Sequence, residues 1–110
     1  MKINGVELKD LDILELEVAE KIEKINAELQ EMQSKIKEMS LVESIKTQCN
    51  FAFDVFNDLF GEGTDKLIFE GRTNLEICTK AIVDLFLEFE KNKQKSMQSI
   101  EKYSTSRLTR

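Results

Sequence analysis

The residues that could do chemistry in this chain are its carboxylates, two thiols and one glycine-rich turn. Histidine is absent from all 110 residues, which removes the side chain that most often serves as a general base or metal ligand. Cys49 and Cys78 are too far apart for the paired spacing of a zinc site. Both fall at apolar positions of predicted helices, where cysteine usually packs as a small hydrophobe. We therefore expect free core thiols in a reducing cytoplasm.

The turn Gly61-Glu62-Gly63-Thr64 is the nearest approach to a ligand-binding motif. It lacks the preceding strand and the Gly-Lys-Ser/Thr ending of a phosphate-binding loop, and no spaced set of acidic ligands follows it. The end of one helix and the start of another explain it better. The carboxylates lie on predicted solvent faces near lysines, whereas catalytic carboxylates need surroundings that shift their pKa. The sequence therefore predicts no enzyme, no cofactor and no metal site.

Helices are the elements predicted to position these residues. Apolar residues from Leu11 to Met39 recur at steps of three and four, which predicts a first helix over 11–39, capped by Asp10 or Asp12. The charges beside this stripe do not form the regular ladder of a two-stranded coiled coil. An antiparallel helical hairpin within the chain fits as well.

A slip in the spacing at Met39–Leu41, with Ser40 and Glu43 in a capping-box pattern, predicts a break near Ser40. The rival interpretation is one helix running from 11 to 60.

Further along, glycines and capping residues divide the chain again. A second helix ends at Gly61 and Gly63, Thr64-Asp65 is expected to cap a single turn over Lys66–Phe69, and Gly71 ends that turn. Thr73 or Asn74 is expected to cap a last helix that extends to about Tyr103.

The fold class predicted is all-α: a bundle of about three long helices and one short helical turn. Asn4-Gly5 between apolar residues adds a tiny N-terminal β-hairpin. The organisation predicted is a single domain over 1–103 and a disordered basic tail over 104–110.

The last helix is apolar on more than one side, and a domain this small cannot surround it. Five of the seven phenylalanines also lie between Phe51 and Phe69. Aromatic residues at helical spacing are usually core, but they also anchor interfaces. The surplus apolar surface favours a protein partner or a homo-oligomer. The candidate partner-binding residues are Phe51, Phe56, Phe60, Phe69, Val83, Phe86 and Leu87.

Charge is distributed unevenly along the chain. Residues 1–90 carry 20 acidic and 10 basic residues, a net charge of −10, and residues 91–110 carry 6 basic residues and one acidic residue, a net charge of +5. An acidic body repels nucleic acid, so nucleic-acid binding, which only the basic tail could attract, is not expected. No apolar run approaches the ~20 residues that span a membrane.

Two stretches carry a resemblance: INGVELKDLDILELEVAEKIE at the start and FNDLFGEGTDKLIFEGRTNLEIC in the centre. They resemble a family of small, mostly uncharacterised proteins of phages and prophages of Gram-positive bacteria, and the match covers most of residues 3–80. The segment FGEGT, with Asn-Leu after the next turn, is its most specific part. Small acidic helical proteins encoded near phage tail genes are often tail assembly chaperones, which bind the apolar, helical tape-measure protein before the tail tube polymerises.

The resemblance implies a non-enzymatic protein in the bacterial cytoplasm that binds apolar helical segments of a tape-measure or other tail protein. The alternative is a structural or regulatory helical oligomer, in which the stripe over 11–39 and the last helix pack copies of the chain together.

Overall fold

The computed structural model describes the backbone of residues 1–108 and the side chains of residues 1–101. A two-stranded antiparallel hairpin opens the chain, and one short and three long helices follow it. The all-α fold with a small N-terminal hairpin is thus confirmed. The elements are β1 (Lys2–Ile3), β2 (Val6–Glu7), α1 (Leu16–Lys35), α2 (Leu41–Phe60), α3 (Thr64–Phe69) and α4 (Leu75–Leu108).

The hairpin turns at Asn4 and Gly5, whose φ angles are +50° and +80°. Two successive positive φ angles make the tight turn that suits the twist of a short hairpin, and Asn-Gly adopts them readily. The Asn4 side chain donates a hydrogen bond of 2.7 Å to the carbonyl of Ile68, and Ile3 is fully buried. The hairpin is therefore fixed to α3, as its small size requires.

Helix α1 is shorter than predicted at both ends, and the predicted aspartate cap is wrong. The Asp12 carboxylate accepts a hydrogen bond of 3.0 Å from the Leu14 N–H, which makes a local turn instead of a helix start. The helix begins at Leu16 without a side-chain cap. At its other end a 3₁₀ turn, Ile36–Glu38, replaces the last predicted α-helical turn.

The break at Ser40 is confirmed, and the continuous helix over 11–60 is wrong. Ser40 has extended backbone, and its hydroxyl accepts a hydrogen bond of 3.2 Å from the Glu43 N–H, which satisfies one of the unpaired donors at the start of α2. The Lys21 ammonium group near the start of α1 reaches the Asp58 carbonyl near the end of α2, at 3.4 Å. The two helices therefore form an antiparallel hairpin.

The segment between α2 and α4 differs from the prediction in one detail. Gly61 ends α2 with φ +112°, but Thr64 and Asp65 do not cap α3 through their side chains. The Asp65 N–H instead donates to the Asn57 side-chain oxygen at 3.0 Å. α2 thus supplies the capping group for α3, so α3 begins two residues earlier than expected.

The core lies between α2, α3 and α4. Phe69 of α3 meets Phe56 and Phe53 of α2 with ring centroids 5.8 and 5.2 Å apart, within the range of favourable aromatic pairs. Asn74 caps α4, because its side-chain oxygen accepts a hydrogen bond of 3.0 Å from the Ile77 N–H. The apolar core residues are Ile3, Leu8, Ile25, Cys49, Ala52, Val55, Phe56, Leu59, Ile68, Phe69, Cys78, Ala81, Ile82, Leu85 and Phe89.

Helix α4 runs to Leu108, five residues beyond the predicted end at Tyr103. It overlaps the predicted tail over 104–110, whose disorder stays a prediction, and Thr109 and Arg110 lie outside the described residues. Within residues 1–108, none of the helices is both long enough and apolar enough to cross a bilayer.

Candidate protein-binding groove

The structure places two of the seven candidate partner-binding residues inside the protein. Phe56 is fully buried and Phe69 is only 2% exposed, because both face the contact between α2 and α3. Neither has surface left for a partner, so the core interpretation holds for these two. Phe60 is half-buried and stacks on Phe56 at a centroid distance of 6.1 Å, away from the remaining candidates.

The other four candidates line one groove between α1, α2 and α4. Phe51 comes from α2, and Val83, Phe86 and Leu87 come from α4. The groove encloses about 340 Å³, a volume in the usual range of binding clefts. We call it the central groove. Its complete lining is Leu29, Met32, Gln33, Ile36, Gln48, Phe51, Cys78, Thr79, Ile82, Val83, Phe86 and Leu87.

The third wall of the central groove was not foreseen among the site residues. Leu29, Met32 and Ile36, from α1 and the 3₁₀ turn, line it and remain half-buried. The sequence did carry a signal for them, because they belong to the regular stripe of the first helix. The stripe shows that these side chains share a face, but it does not show how fully another helix covers that face.

The rim of the groove on α4 is apolar and open. Val83 is 50% exposed and Leu87 is 63% exposed, and they are four positions apart, so they lie about one turn apart on one side of the helix. Phe86 beside them packs edge-on against Phe89 at 5.9 Å, which holds its ring in place. The groove therefore has an exposed apolar edge above a fixed aromatic wall.

The floor of the groove is closed by Ile82 and Cys78, which are 8% and 1% exposed. Cys78 lies against Cys49 of α2, and both thiols are free. Burial, followed by the hydrogen bond and the charge interaction with Cys49, raises the pKa of Cys78 to about 12. A thiol with that pKa stays protonated at neutral pH and is a poor nucleophile, so Cys78 serves as apolar packing.

The polar groups of the central groove are uncharged. Among its described lining side chains they are Gln33, Gln48 and Thr79, and the Gln48 amide already donates a hydrogen bond of 2.8 Å to the Ser44 hydroxyl. A charged ligand would find no ion partner in this lining. Binding of an apolar ligand would cost little free energy, because few polar groups would be left unpaired beneath it.

The glycine-rich turn uses part of its polar groups within the chain. The Thr64 hydroxyl donates to the Gly61 carbonyl at 2.6 Å, and the Asp65 N–H is taken by Asn57. Two of the groups that could have faced a phosphate are therefore already paired within the chain. Across the described residues, no group of three Cys, Asp or Glu side chains is arranged to hold a metal ion.

Comparison with known proteins identifies a family for this chain. A family model described as "Family of unknown function (DUF6673)" matches residues 4–110. No curated protein matches the chain, and no solved structure matches it.

Proposed function

We propose that this chain, which belongs to the DUF6673 family of unknown function, is a non-enzymatic binding protein that holds an apolar helical segment of another protein in the central groove. The partner we propose is a tape-measure or other tail protein of a phage, held in the bacterial cytoplasm until assembly. The chain would then act as a tail assembly chaperone. The phage setting is supported only by the resemblance of the two sequence stretches described above.

One observation carries the binding proposal: the apolar rim of α4 lies directly above an apolar groove. Val83 and Leu87 are at least half exposed although apolar, and an exposed apolar patch that borders a groove is typical of an interaction site. A partner helix that places side chains at i, i+3 and i+4 into the groove would cover both residues.

The composition of the walls fits a helical guest. Met32 is flexible and polarisable, so it adapts to different apolar side chains. Phe51 and Phe86 supply large, rigid contact surfaces on opposite sides. Such a lining favours any sequence with a regular apolar face, which is what a long apolar helical protein presents repeatedly along its length.

The charge of the body fits a partner that is neutral or basic. Residues 1–90 have a net charge of −10, which slows association with acidic proteins and nucleic acids and favours basic partners. It also keeps the complex soluble while the groove covers the apolar segment of the partner.

The test is a pair of substitutions on the rim, Val83→Asp and Leu87→Asp. Binding of fluorescent helical peptides from tape-measure proteins should weaken at least about tenfold for each variant, because a carboxylate on the rim must be desolvated under the guest. Stability should change by less than about 1 kcal/mol, because both side chains are already exposed. Unchanged peptide affinity would contradict the proposal.

Leu67→Asp is the matched control. Leu67 is 64% exposed, nearly the same as Leu87, but it lies on α3 outside the groove. This variant has the same change in charge and hydropathy, so it should bind peptides as the unmodified chain does.

The second candidate function is a structural helical oligomer, and the same open groove supports it. A second copy of the chain could cover Val83 and Leu87 in place of a foreign helix. In that case both rim variants would reduce the solution mass towards 12.7 kDa, and no tail-protein peptide would bind the unmodified chain.

A further inference from the structure

The turn of the N-terminal hairpin contains the single Asn-Gly pair of the sequence. The chain has six asparagines, and only Asn4 is followed by glycine. Glycine has no side chain to crowd its backbone nitrogen, and a Cβ added at Gly5 would meet no described residue beyond its chain neighbours within 4 Å. The backbone nitrogen that follows the Asn4 side chain is therefore sterically open.

An asparagine with such a neighbour can lose its amide in a reaction that consumes only water. The backbone nitrogen of Gly5 attacks the side-chain carbonyl carbon of Asn4 and gives up its proton, and the new C–N bond closes a five-membered succinimide. The bond to the amide nitrogen breaks, and that nitrogen leaves as ammonia. Water then opens the ring at one of its two carbonyl carbons, which produces aspartate or isoaspartate. The reaction needs no oxidant, reductant or cofactor.

The docked hairpin holds Asn4 in a conformation that cannot close this ring. The φ angles of +50° at Asn4 and +80° at Gly5 match a turn whose first central residue has a ψ of about +30°. At that ψ the Gly5 nitrogen lies on the opposite side of the Cα–C bond from the Asn4 Cβ. The side chain is also fixed, because its amide donates a hydrogen bond of 2.7 Å to the Ile68 carbonyl. Both restraints must be released before the nitrogen reaches the side-chain carbon.

We propose that Asn4 is a deamidation site that is protected while the hairpin is docked on α3 and reacts when the hairpin detaches. Detachment is the local opening expected of a two-stranded hairpin, which is marginally stable without its packing. Docking rests on the burial of Ile3 and on the bond from Asn4 to Ile68. The extent of reaction at Asn4 therefore records how long the hairpin has spent away from α3.

The product of the reaction cannot restore the contact with α3. The Ile68 carbonyl belongs to the last turn of α3, where the C=O groups lack partners within the helix. The Asn4 amide supplies a donor to this carbonyl, whereas a carboxylate at neutral pH has only acceptors. Isoaspartate also adds one carbon to the backbone between the two paired strands. Because the released ammonia diffuses away, the change is permanent and leaves the hairpin undocked.

The first test follows all six asparagines by peptide mass spectrometry during incubation at mildly alkaline pH. In urea, where the chain is unfolded, Asn4 should be converted faster than the other five, because each of those precedes a larger residue. In buffer, the rate at Asn4 should fall at least about tenfold, since only chains with a detached hairpin react. Equal rates at Asn4 in urea and in buffer, or a rate in urea no higher than at the other five, would overturn the proposal.

A matched pair of variants separates detachment of the hairpin from unfolding of the whole chain. Ile3→Val removes one methylene from a fully buried residue of β1. It should speed the reaction of Asn4 in buffer about two- to tenfold and leave the rate in urea unchanged. Ile25→Val makes the same change in α1, where the side chain is 3% exposed, and should not change the rate in buffer. Equal acceleration by both variants would mean that Asn4 reacts from the unfolded chain and that the hairpin is not the protecting element.

The effect of the product is tested with Asn4→Asp. The Leu8 N–H donates a hydrogen bond of 2.7 Å to the Met1 carbonyl across the hairpin, and its hydrogen exchange should accelerate at least about tenfold, because the Ile68 carbonyl loses its donor. Asn26→Asp, the same substitution at an exposed position of α1, should exchange like the unmodified chain. Unchanged exchange in Asn4→Asp would contradict the loss of docking. The hairpin contributes no residue to the described lining of the central groove, so these results do not depend on peptide binding.

Discussion

Helices α1 and α2 have the same length but differ in how many of their side chains are buried. Each contains 20 residues, yet α2 buries Cys49, Ala52, Val55, Phe56 and Leu59, whereas α1 buries only Ile25. The apolar stripes of both helices recur at steps of three and four in sequence. Regular spacing therefore predicts which residues share a face, while burial depends on what packs against that face. The α1 stripe is only partly covered, and the central groove is the space that remains beside it.

The largest change in stability is expected from removing the Phe56 ring. Phe56→Ala should destabilise the fold by about 4 kcal/mol, because it removes a large buried ring and leaves a cavity, and this is a large part of the stability of a small domain. Urea unfolding followed by circular dichroism measures the change. Phe60→Ala, in the same helix but half-buried, should cost clearly less; equal losses would mean that burial does not separate the two rings.

Within α1, Ile25 is the position where truncation should cost nearly as much stability as at Phe56. Ile25→Ala should cost about 3 kcal/mol, because Ile25 is 3% exposed. Ile36→Ala, on the same stripe at the open end, should cost about 1 kcal/mol, since its side chain is already half in water. The same urea titration compares them. If Ile36 costs as much as Ile25, the central groove is closed in solution and the contrast between the helices is smaller than the structure shows.

The contact between α2 and α4 at Cys49 and Cys78 should weaken in alkali. The pKa of Cys78 is raised from the ordinary thiol value of 9.0 to about 12, so above pH 9 the unfolded chain loses this proton while the folded chain keeps it. The free energy of unfolding should then fall, with a slope that approaches about 1.4 kcal/mol per pH unit between the two pKa values. Urea titrations between pH 8 and about 10 measure the slope, and Cys78→Ala should lower the stability but remove this component of its pH dependence.

The smallest effect tests the junction between the two helices. Ser40→Ala removes the hydroxyl that accepts from the Glu43 N–H and should cost about 1 kcal/mol. Ser34→Ala is the control, because the Ser34 hydroxyl only donates to the Glu31 carbonyl within α1 and alanine is a better helix former. Thermal unfolding should rank Ser40→Ala below both Ser34→Ala and the unmodified chain.

Most of the fold could be predicted from the sequence because the signals that set its boundaries are local. Ser40, Gly61, Gly71 and Asn74 act within a few residues of their own position, and the structure bears out each of these boundaries. The start of α1 could not be placed, because Asp12 can form either a helix cap or the short turn that it makes with Leu14. The Asn57 bond that caps α3 spans two helices, and spacing does not reveal such a contact.

The candidate site could be predicted only in part, for a related reason. Val83 and Leu87 were identifiable because α4 carries more apolar residues than one face holds. Phe56 and Phe69 were candidates because phenylalanine is concentrated in their stretch of the sequence, but the two rings cover each other. Only the path of the chain through α3 brings them together. An aromatic residue in the core and one at an interface have the same side chain, and the fold alone decides between them.

The hydrogen bond between Asn4 and Ile68 also determines the order in which the protein can be completed during translation. The two residues are 64 positions apart, and synthesis at roughly 5–20 residues per second separates them by about 3 to 13 s. During that interval the Asn4 side chain has no Ile68 carbonyl to bond, although the neighbouring Ile3 is fully buried in the finished protein. The N-terminal hairpin therefore leaves the ribosome before α1 and α2, but its bond to α3 can form only after both of them have been made.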